Sequence, residues 1–182
     1  KWAVEKLEHE FHIKELNQVN LLGLQEPEFV YSDKASFIKT TQKCVDYLNY
    51  TTDRLSRVPT SIVIAMAGVE SGWGTSRFAT EGNALFGVRT WDLKNVPHMK
   101  AKGNPDAVWG VKKYITKCQS VEDMIAILNR HPAYEDFRIE REKQIEAGKW
   151  DYRALMVRMS AWSTNPDYAE IILQAIVDNK LP

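Results

Sequence analysis

The carboxyl best placed to do chemistry is Glu70. It closes the apolar run Ile62-Val63-Ile64-Ala65-Met66-Ala67-Gly68-Val69 and is followed at once by Ser71-Gly72-Trp73-Gly74. A carboxyl set where an apolar helix stops is partly stripped of water, which raises its pKa and keeps it protonated nearer neutral pH. Such an acid suits protonation of a leaving oxygen, and an indole beside it suits stacking on a sugar ring. An isolated Glu also has a plainer reading, as a helix-end acid satisfied by backbone N–H groups or an arginine. The elements around it decide between the two.

Those elements read as helical for most of the chain. Residues 1–16 are patterned as a charged amphipathic helix, and 17–32, with Gly23 and Pro27, as a connector. Ser32 or Asp33 caps a helix running to about Arg57, with Phe37, Ile38, Val45, Leu48 and Leu55 at helical spacing beside Cys44 and Tyr47. Pro59 fits the first turn of the next helix, where its missing N–H costs nothing. There Ile62, Ala65, Met66 and Val69 share one face, and Ile64, Ala67 and Gly68 leave little of the rest polar, which predicts burial on most sides. A short helix is expected over 75–80. From Val88 to Tyr114 the helical period lapses, and Pro97, Gly103, Pro105 and Gly110, with pieces such as Ala107-Val108-Trp109, predict an irregular or β-hairpin arm. Further helices are expected over 121–129 behind a Ser120 cap, over 133–147 closed by Gly148, and from Asp151 through about Trp162. A last one, over 167–179, has Ile171, Ile172, Ala175 and Ile176 as its core face. No repeat or linker divides the chain, so residues 1–182 are expected to form one predominantly α domain.

The totals exclude several partners. Lys plus Arg and Asp plus Glu number 24 each, so no net charge steers the chain to nucleic acid or acidic lipid. No stretch nears the ~20 apolar residues of a membrane span, and a monomer is expected. The chain opens on Lys1 with no signal peptide, which reads as a fragment or a processed form. His9, Glu10 and His12 resemble a helical zinc motif, but the histidines are three apart rather than four and no third ligand follows. His98 and His131 stand alone and no phosphate-cradling glycine loop occurs, so neither metal nor cofactor is expected. Spacing does not decide whether Cys44 and Cys118 pair. The arm is basic through Arg89, Lys94, Lys100, Lys102, Lys112 and Lys113, which reads as a solvated surface or, more sharply, as a contact for an anionic glycan or its peptide.

Four blocks, in order, make the pattern specific. They are Ala67-Gly68-Val69-Glu70-Ser71-Gly72-Trp73-Gly74, Asn83-Ala84-Leu85-Phe86-Gly87, Asn129-Arg130-His131-Pro132-Ala133-Tyr134-Glu135-Asp136-Phe137-Arg138 and Ala161-Trp162-Ser163-Thr164-Asn165-Pro166-Asp167-Tyr168-Ala169. Together they resemble the bacterial glucosaminidase family, the mannosyl-glycoprotein endo-β-N-acetylglucosaminidase-like domain of peptidoglycan hydrolases, and the third resembles its Bax-like branch. The resemblance covers 58–181, with 1–57 less distinct. It implies an α+β lysozyme-like fold, a periplasmic or secreted place in the cell envelope, and cleavage of peptidoglycan strands at the β-1,4 bond after N-acetylglucosamine. Glu70 takes the general-acid role, and Ser71, Trp73, Phe86, Trp162 and Tyr168 would contact substrate, Trp162 standing where the family usually has Tyr. Many members carry a further Glu in the arm; here 88–114 holds only Asp92 and Asp106, and Asp106 is the candidate second acid unless a substrate acetamido group assists instead. A lytic transglycosylase and a non-catalytic glycan-binding or scaffold module remain the alternatives.

Overall fold

The computed structural model describes residues 25–182 together with Val4, Lys6, Leu7, Glu8, Glu10, Phe11, Lys14 and Glu15, and those between 4 and 15 are helical. His9 and His12, and residues 17–24 of the connector expected over 17–32, lie outside the described residues. In chain order the elements are α1 (Lys34–Asn49), α2 (Thr60–Ser71), α3 (Arg77–Gly82), β1 (Arg89–Thr90), β2 (His98–Met99), β3 (Gly110–Lys112), α4 (Lys117–Arg130), α5 (Glu135–Ala147), α6 (Tyr152–Met156) and α7 (Tyr168–Asp178). Single 3-10 turns cover Arg54–Ser56, Pro132–Tyr134 and Val157–Trp162.

The most apolar stretch is the most buried. Ser61 through Gly68 of α2 are all inside, so the helix is surrounded and shows solvent only at its end. It packs on α1 and α7, and the core continues through Phe37 and Leu48 of α1, Val121 and Leu128 of α4, Phe137 of α5 and Ile172 of α7. Each large apolar side chain taken fully from water contributes about 1.5–3 kcal/mol, which is why a wholly apolar helix occupies the centre. Pro59 sits one position before the helix rather than in its first turn, with its carbonyl accepting the Ile62 and Val63 N–H groups.

Several boundaries depart from the sequence expectation, each for a local reason. The helix expected to reach Arg57 ends at Asn49, because the Thr51 and Thr52 hydroxyls donate to the Leu48 carbonyl and the Asp53 carboxylate accepts from the Leu55 N–H. Short polar side chains bonded to nearby backbone offer the chain an alternative to helix, and Leu55 is left exposed. Ser76 caps α3, so that helix starts and ends later than expected. Thr116, not Ser120, caps α4, and the Ser120 hydroxyl donates back to the Lys117 carbonyl. Residues 151–162 divide into α6 and a 3-10 run, and Ile171 faces solvent beside the buried Ile172 and Ile176.

The arm is a small antiparallel sheet in the order β1-β3-β2, with Arg89 opposite Val111 and Met99 opposite the same residue from the other side. Its third strand is Gly110–Lys112 rather than the expected Ala107–Trp109, since a Cβ at position 110 would lie 2.6 Å from the His98 ring. Part of its charge is structural: the Lys100 ammonium donates to the Ala107 and Trp109 carbonyls, Arg89 stands 3.9 Å over the Trp109 ring, and Lys112 pairs with Asp123 at 3.0 Å. A disulfide joins Cys44 of α1 to Cys118 of α4, with their Cα atoms 5.7 Å apart.

Candidate active site

Glu70 is the penultimate residue of α2, and the backbone turns left-handed directly after the helix, at Gly72 (φ 60°), Trp73 (φ 55°) and Gly74 (φ 83°). Two glycines make that turn affordable; Trp73 is a bulky residue in a conformation it seldom takes, and packing must hold it there. The Ser71 hydroxyl donates to the Ala67 carbonyl at 2.6 Å and accepts the Gly74 N–H at 2.8 Å. Ser71 is sealed from solvent, so it knots the turn instead of meeting a substrate. The Trp73 indole folds back over Gly68, where a Cβ would come within 2.5 Å of the ring. Gly68 precedes Glu70 by two residues, about 200° around the helix. The indole therefore packs on the far side of α2 from the carboxyl, edge-on to Phe37 at 6.2 Å and under the Lys34 ammonium at 4.2 Å. Sequence adjacency does not bring Ser71 or Trp73 to the Glu70 face.

The residues that do face Glu70 come from the other end of the chain. The carboxyl is reached by solvent, yet loss of hydration is the largest influence on it and raises its pKa. The two observations agree if the carboxyl is open at its tip and crowded by protein on its other sides. The Tyr168 phenol and the Trp162 indole N–H act the other way and hold the pKa down by offering hydrogen bonds to the charged form. Tyr168 opens α7, is buried, and its hydroxyl makes no closed hydrogen bond. Burial and the Glu70 charge push that phenol's pKa well up, so it stays a donor. The turn before it is closed by its own side chains, the Asn165 N–H donating to the Ser163 hydroxyl at 3.1 Å and the Asp167 N–H to the Asn165 side chain at 2.9 Å. That turn fixes Trp162 relative to Tyr168.

Behind Trp162 stand Phe86, edge-on at 6.4 Å, and Tyr134, tilted at 6.1 Å. Phe86 is nearly sealed from solvent and supports the wall from within. Tyr134 belongs to a 3-10 turn and had no assigned role in the sequence beyond its membership of the third block. Asn83 was equally unassigned. In a left-handed conformation at the end of α3, it donates through its amide to the Tyr114 and Ile115 carbonyls, which ties the far end of the arm beside its start. Asp106 lies exposed in the arm's turn beyond the Ala101–Asn104 bridge, and among the described residues no hydrogen bond or ion pair links it to the end of α2. The arrangement amounts to one solvent-reachable acid whose pKa is raised by lost hydration, with two neutral donors facing it to receive its conjugate base.

Residues 48–181 match the family model described as glucosaminidase, mannosyl-glycoprotein endo-beta-N-acetylglucosaminidase. The chain belongs to the glucosaminidase family. Among its relatives in that family are the protein bax of Escherichia coli (strain K12), 32% identical over 130 residues, and the exo-glucosaminidase LytG of Bacillus subtilis (strain 168), 32% identical over 126. These alignments take in 70% and 65% of this glucosaminidase chain but 45% and 43% of the relatives, so it spans less than half their length. Two solved structures share the fold. The catalytic domain of the autolysin Auto from Listeria monocytogenes superposes with a TM-score of 0.62 at 18% identity, over 92% of this chain and 94% of that one. A peptidoglycan hydrolase from Sphingomonas sp. A1 gives 0.59 at 22% identity, over 82% and 90%. The glucosaminidase resemblance, with its Bax-like branch, and the helix-rich lysozyme-like fold both stand.

Proposed function

We propose that this chain cleaves the glycan of peptidoglycan at the β-1,4 bond after N-acetylglucosamine, with Glu70 as general acid. The observation that carries the reading is the Glu70 carboxyl itself, reachable by solvent at the end of the buried α2, raised in pKa by partial loss of hydration, and faced by the Tyr168 phenol and the Trp162 indole. Family membership supports a glycoside hydrolase, as do relatives named an exo-glucosaminidase and a peptidoglycan hydrolase. Glu70 gives its proton to the glycosidic oxygen as the bond to the anomeric carbon breaks and positive charge develops on the sugar. The carboxylate left behind then accepts the two hydrogen bonds waiting for it, so these donors act most strongly as charge develops.

Asp106, the candidate second acid, lies exposed in the arm's turn, and among the described residues no hydrogen bond or ion pair links it to the end of α2. We therefore favour the sugar's own acetamido oxygen as the group that meets the developing charge, with water then opening the cyclic ion. The same observation keeps a second reading in play, in which a hydroxyl of the sugar attacks and an anhydro product leaves. Mass spectrometry of digested wall separates the two, since the anhydro product is lighter by one water. The buried Cys44–Cys118 bond fits an oxidising compartment and supports a periplasmic or secreted location.

The test is wall digestion by the unmodified protein and by Glu70→Gln. The substitution should cost at least about a hundredfold in rate, the scale of a lost general acid. Equal digestion by the two proteins would remove Glu70 from the mechanism. Binding of wall glycan by both with digestion by neither would make the domain a glycan-binding module.

A further inference from the structure

A concavity of ≈ 700 Å³ lies on the Trp73 side of α2, away from Glu70. Its floor is aromatic. Tyr31 and Trp73 both meet Phe37 edge-on, at 5.1 and 6.2 Å. The Tyr31 hydroxyl donates to the Gly74 carbonyl at 2.6 Å, and a Cβ on Gly74 would lie 2.6 Å from the Tyr31 ring, so the segment before α1 and the turn after α2 are locked together by close packing. This is a built surface and not a gap between loose loops.

Two ammonium groups sit over that floor. Lys34 stands 4.2 Å above the Trp73 ring, and Lys117 stands 5.7 Å from the Tyr31 ring while donating to the Asn83 side chain at 3.0 Å. Neither has a carboxylate within ion-pair distance among the described residues. Asp33, the acid in the same wall, caps α1, accepting the Ser36 N–H at 2.7 Å and the Ser36 hydroxyl at 2.5 Å, and pairs with neither ammonium. Loss of hydration also weighs against the Lys117 charge. Two ammonium groups and one helix-capping carboxylate leave a net positive charge over the aromatic floor, which calls for a ligand that carries an anion and some apolar surface. The volume is larger than a lone inorganic anion fills, and an uncharged sugar would leave both lysines unanswered.

We propose that this concavity binds a carboxylate-bearing peptide of the cell wall, its carboxylate meeting Lys34 and Lys117 and its apolar side chains lying on Tyr31 and Trp73. The identity of the ligand rests on the reading of the protein as a wall-glycan enzyme. Because Trp73 and Glu70 lie on opposite sides of α2, the peptide is held away from the bond being cut. The site then retains the protein on the wall while the Glu70 face works.

The test is an NMR titration of the whole chain, following the indole N–H signal of Trp73, assigned through Trp73→Phe. The probes are an acidic wall tetrapeptide, the same peptide with its carboxylates amidated, a glycerol-phosphate oligomer and uncharged chitotetraose. The acidic peptide should shift the Trp73 signal, with an affinity that falls as salt rises and drops at least about tenfold in the double variant Lys34→Met, Lys117→Met. The arginine pair Lys34→Arg, Lys117→Arg should retain binding. Should the methionine pair fail to fold, Lys34→Met alone, at the rim, gives the same readout. Equal shifts from the amidated peptide, or an unchanged affinity in the methionine variant, would overturn the proposal; so would tighter binding of the phosphate oligomer, which would assign the site to a wall polyanion. Running the titration on Glu70→Gln as well separates the two readings. Peptide binding without any glycan cleavage by the unmodified protein would sink the enzymatic reading alone, and cleavage without a Trp73 shift would sink the second site alone.

Discussion

A carboxyl that must keep its proton in neutral water has to be dry, and one that must touch a substrate has to be reachable. Glu70 answers to both because its helix is buried from Ser61 through Gly68, while its own tip is open. The buried Tyr168 hydroxyl, with no closed hydrogen bond, is the complementary feature. An unsatisfied buried donor costs about 1–3 kcal/mol, and the cost is recovered when Glu70 ionises and accepts from it. Tyr168→Phe tests this through pH dependence. Activity needs protonated Glu70, so the rate falls as pH rises through the Glu70 pKa. The phenol lowers that pKa by favouring the charged form, so its removal should move the basic limb of kcat/KM to higher pH. It should also lower the plateau roughly tenfold, because the carboxylate formed in the reaction loses a donor. A limb that stays in place would leave Tyr168 a packing residue.

At the level of elements, what was legible in the sequence followed from pattern, and what was not depended on where side chains turn after a helix ends. α2 could be read because it is apolar on all faces and bounded by Pro59 and Gly72, and the place of Glu70 at the helix end could be read because it closes that run. The direction of Trp73 could not, since three left-handed residues reverse the chain and lay the indole against Gly68. Tyr134 was out of reach too, because it joins Trp162 only through the packing of a 3-10 turn far along the chain. Gly68→Ala weighs the two forces at that contact. Alanine favours the helix over glycine by roughly 1 kcal/mol, but its methyl would sit 2.5 Å from the indole, and overpacking of a fixed ring costs about 1–3 kcal/mol. The Phe37 edge contact and the left-handed backbone restrict the indole's escape, so the clash should win. The expected outcome is a lower urea midpoint with a changed tryptophan emission spectrum. A midpoint that rises would mean the indole moves away at little cost.

Across the whole molecule, the Glu70 face and the Trp73 concavity depend on different ties. The Glu70 face is assembled by α7 crossing α2, while the arm is fastened by Asn83 at its far end and by Lys112 and Tyr114 to Asp123 at 3.0 and 2.6 Å. The Trp73 face is assembled by α1 and the start of α4, and here the tie is covalent: Cys118 follows Lys117 directly, and its partner Cys44 lies in the helix that Lys34 opens. The bond closes a loop with a sequence separation of 74, and chain-entropy reasoning gives about 4 kcal/mol of stabilisation for a loop of that size. That is a large share of the 5–15 kcal/mol that typical domains have in all. The double variant Cys44→Ala, Cys118→Ala should therefore lose about 2–5 kcal/mol in urea unfolding. The loss should exceed that of either Glu70→Gln or Tyr168→Phe, because those changes act at one wall of a cleft and this one frees the unfolded chain. Thiol titration of the unmodified protein, denatured without reductant, supplies the independent readout and should find no free thiol. Two titratable thiols, or an unchanged midpoint in the double variant, would show that α1 and α4 are held by packing alone.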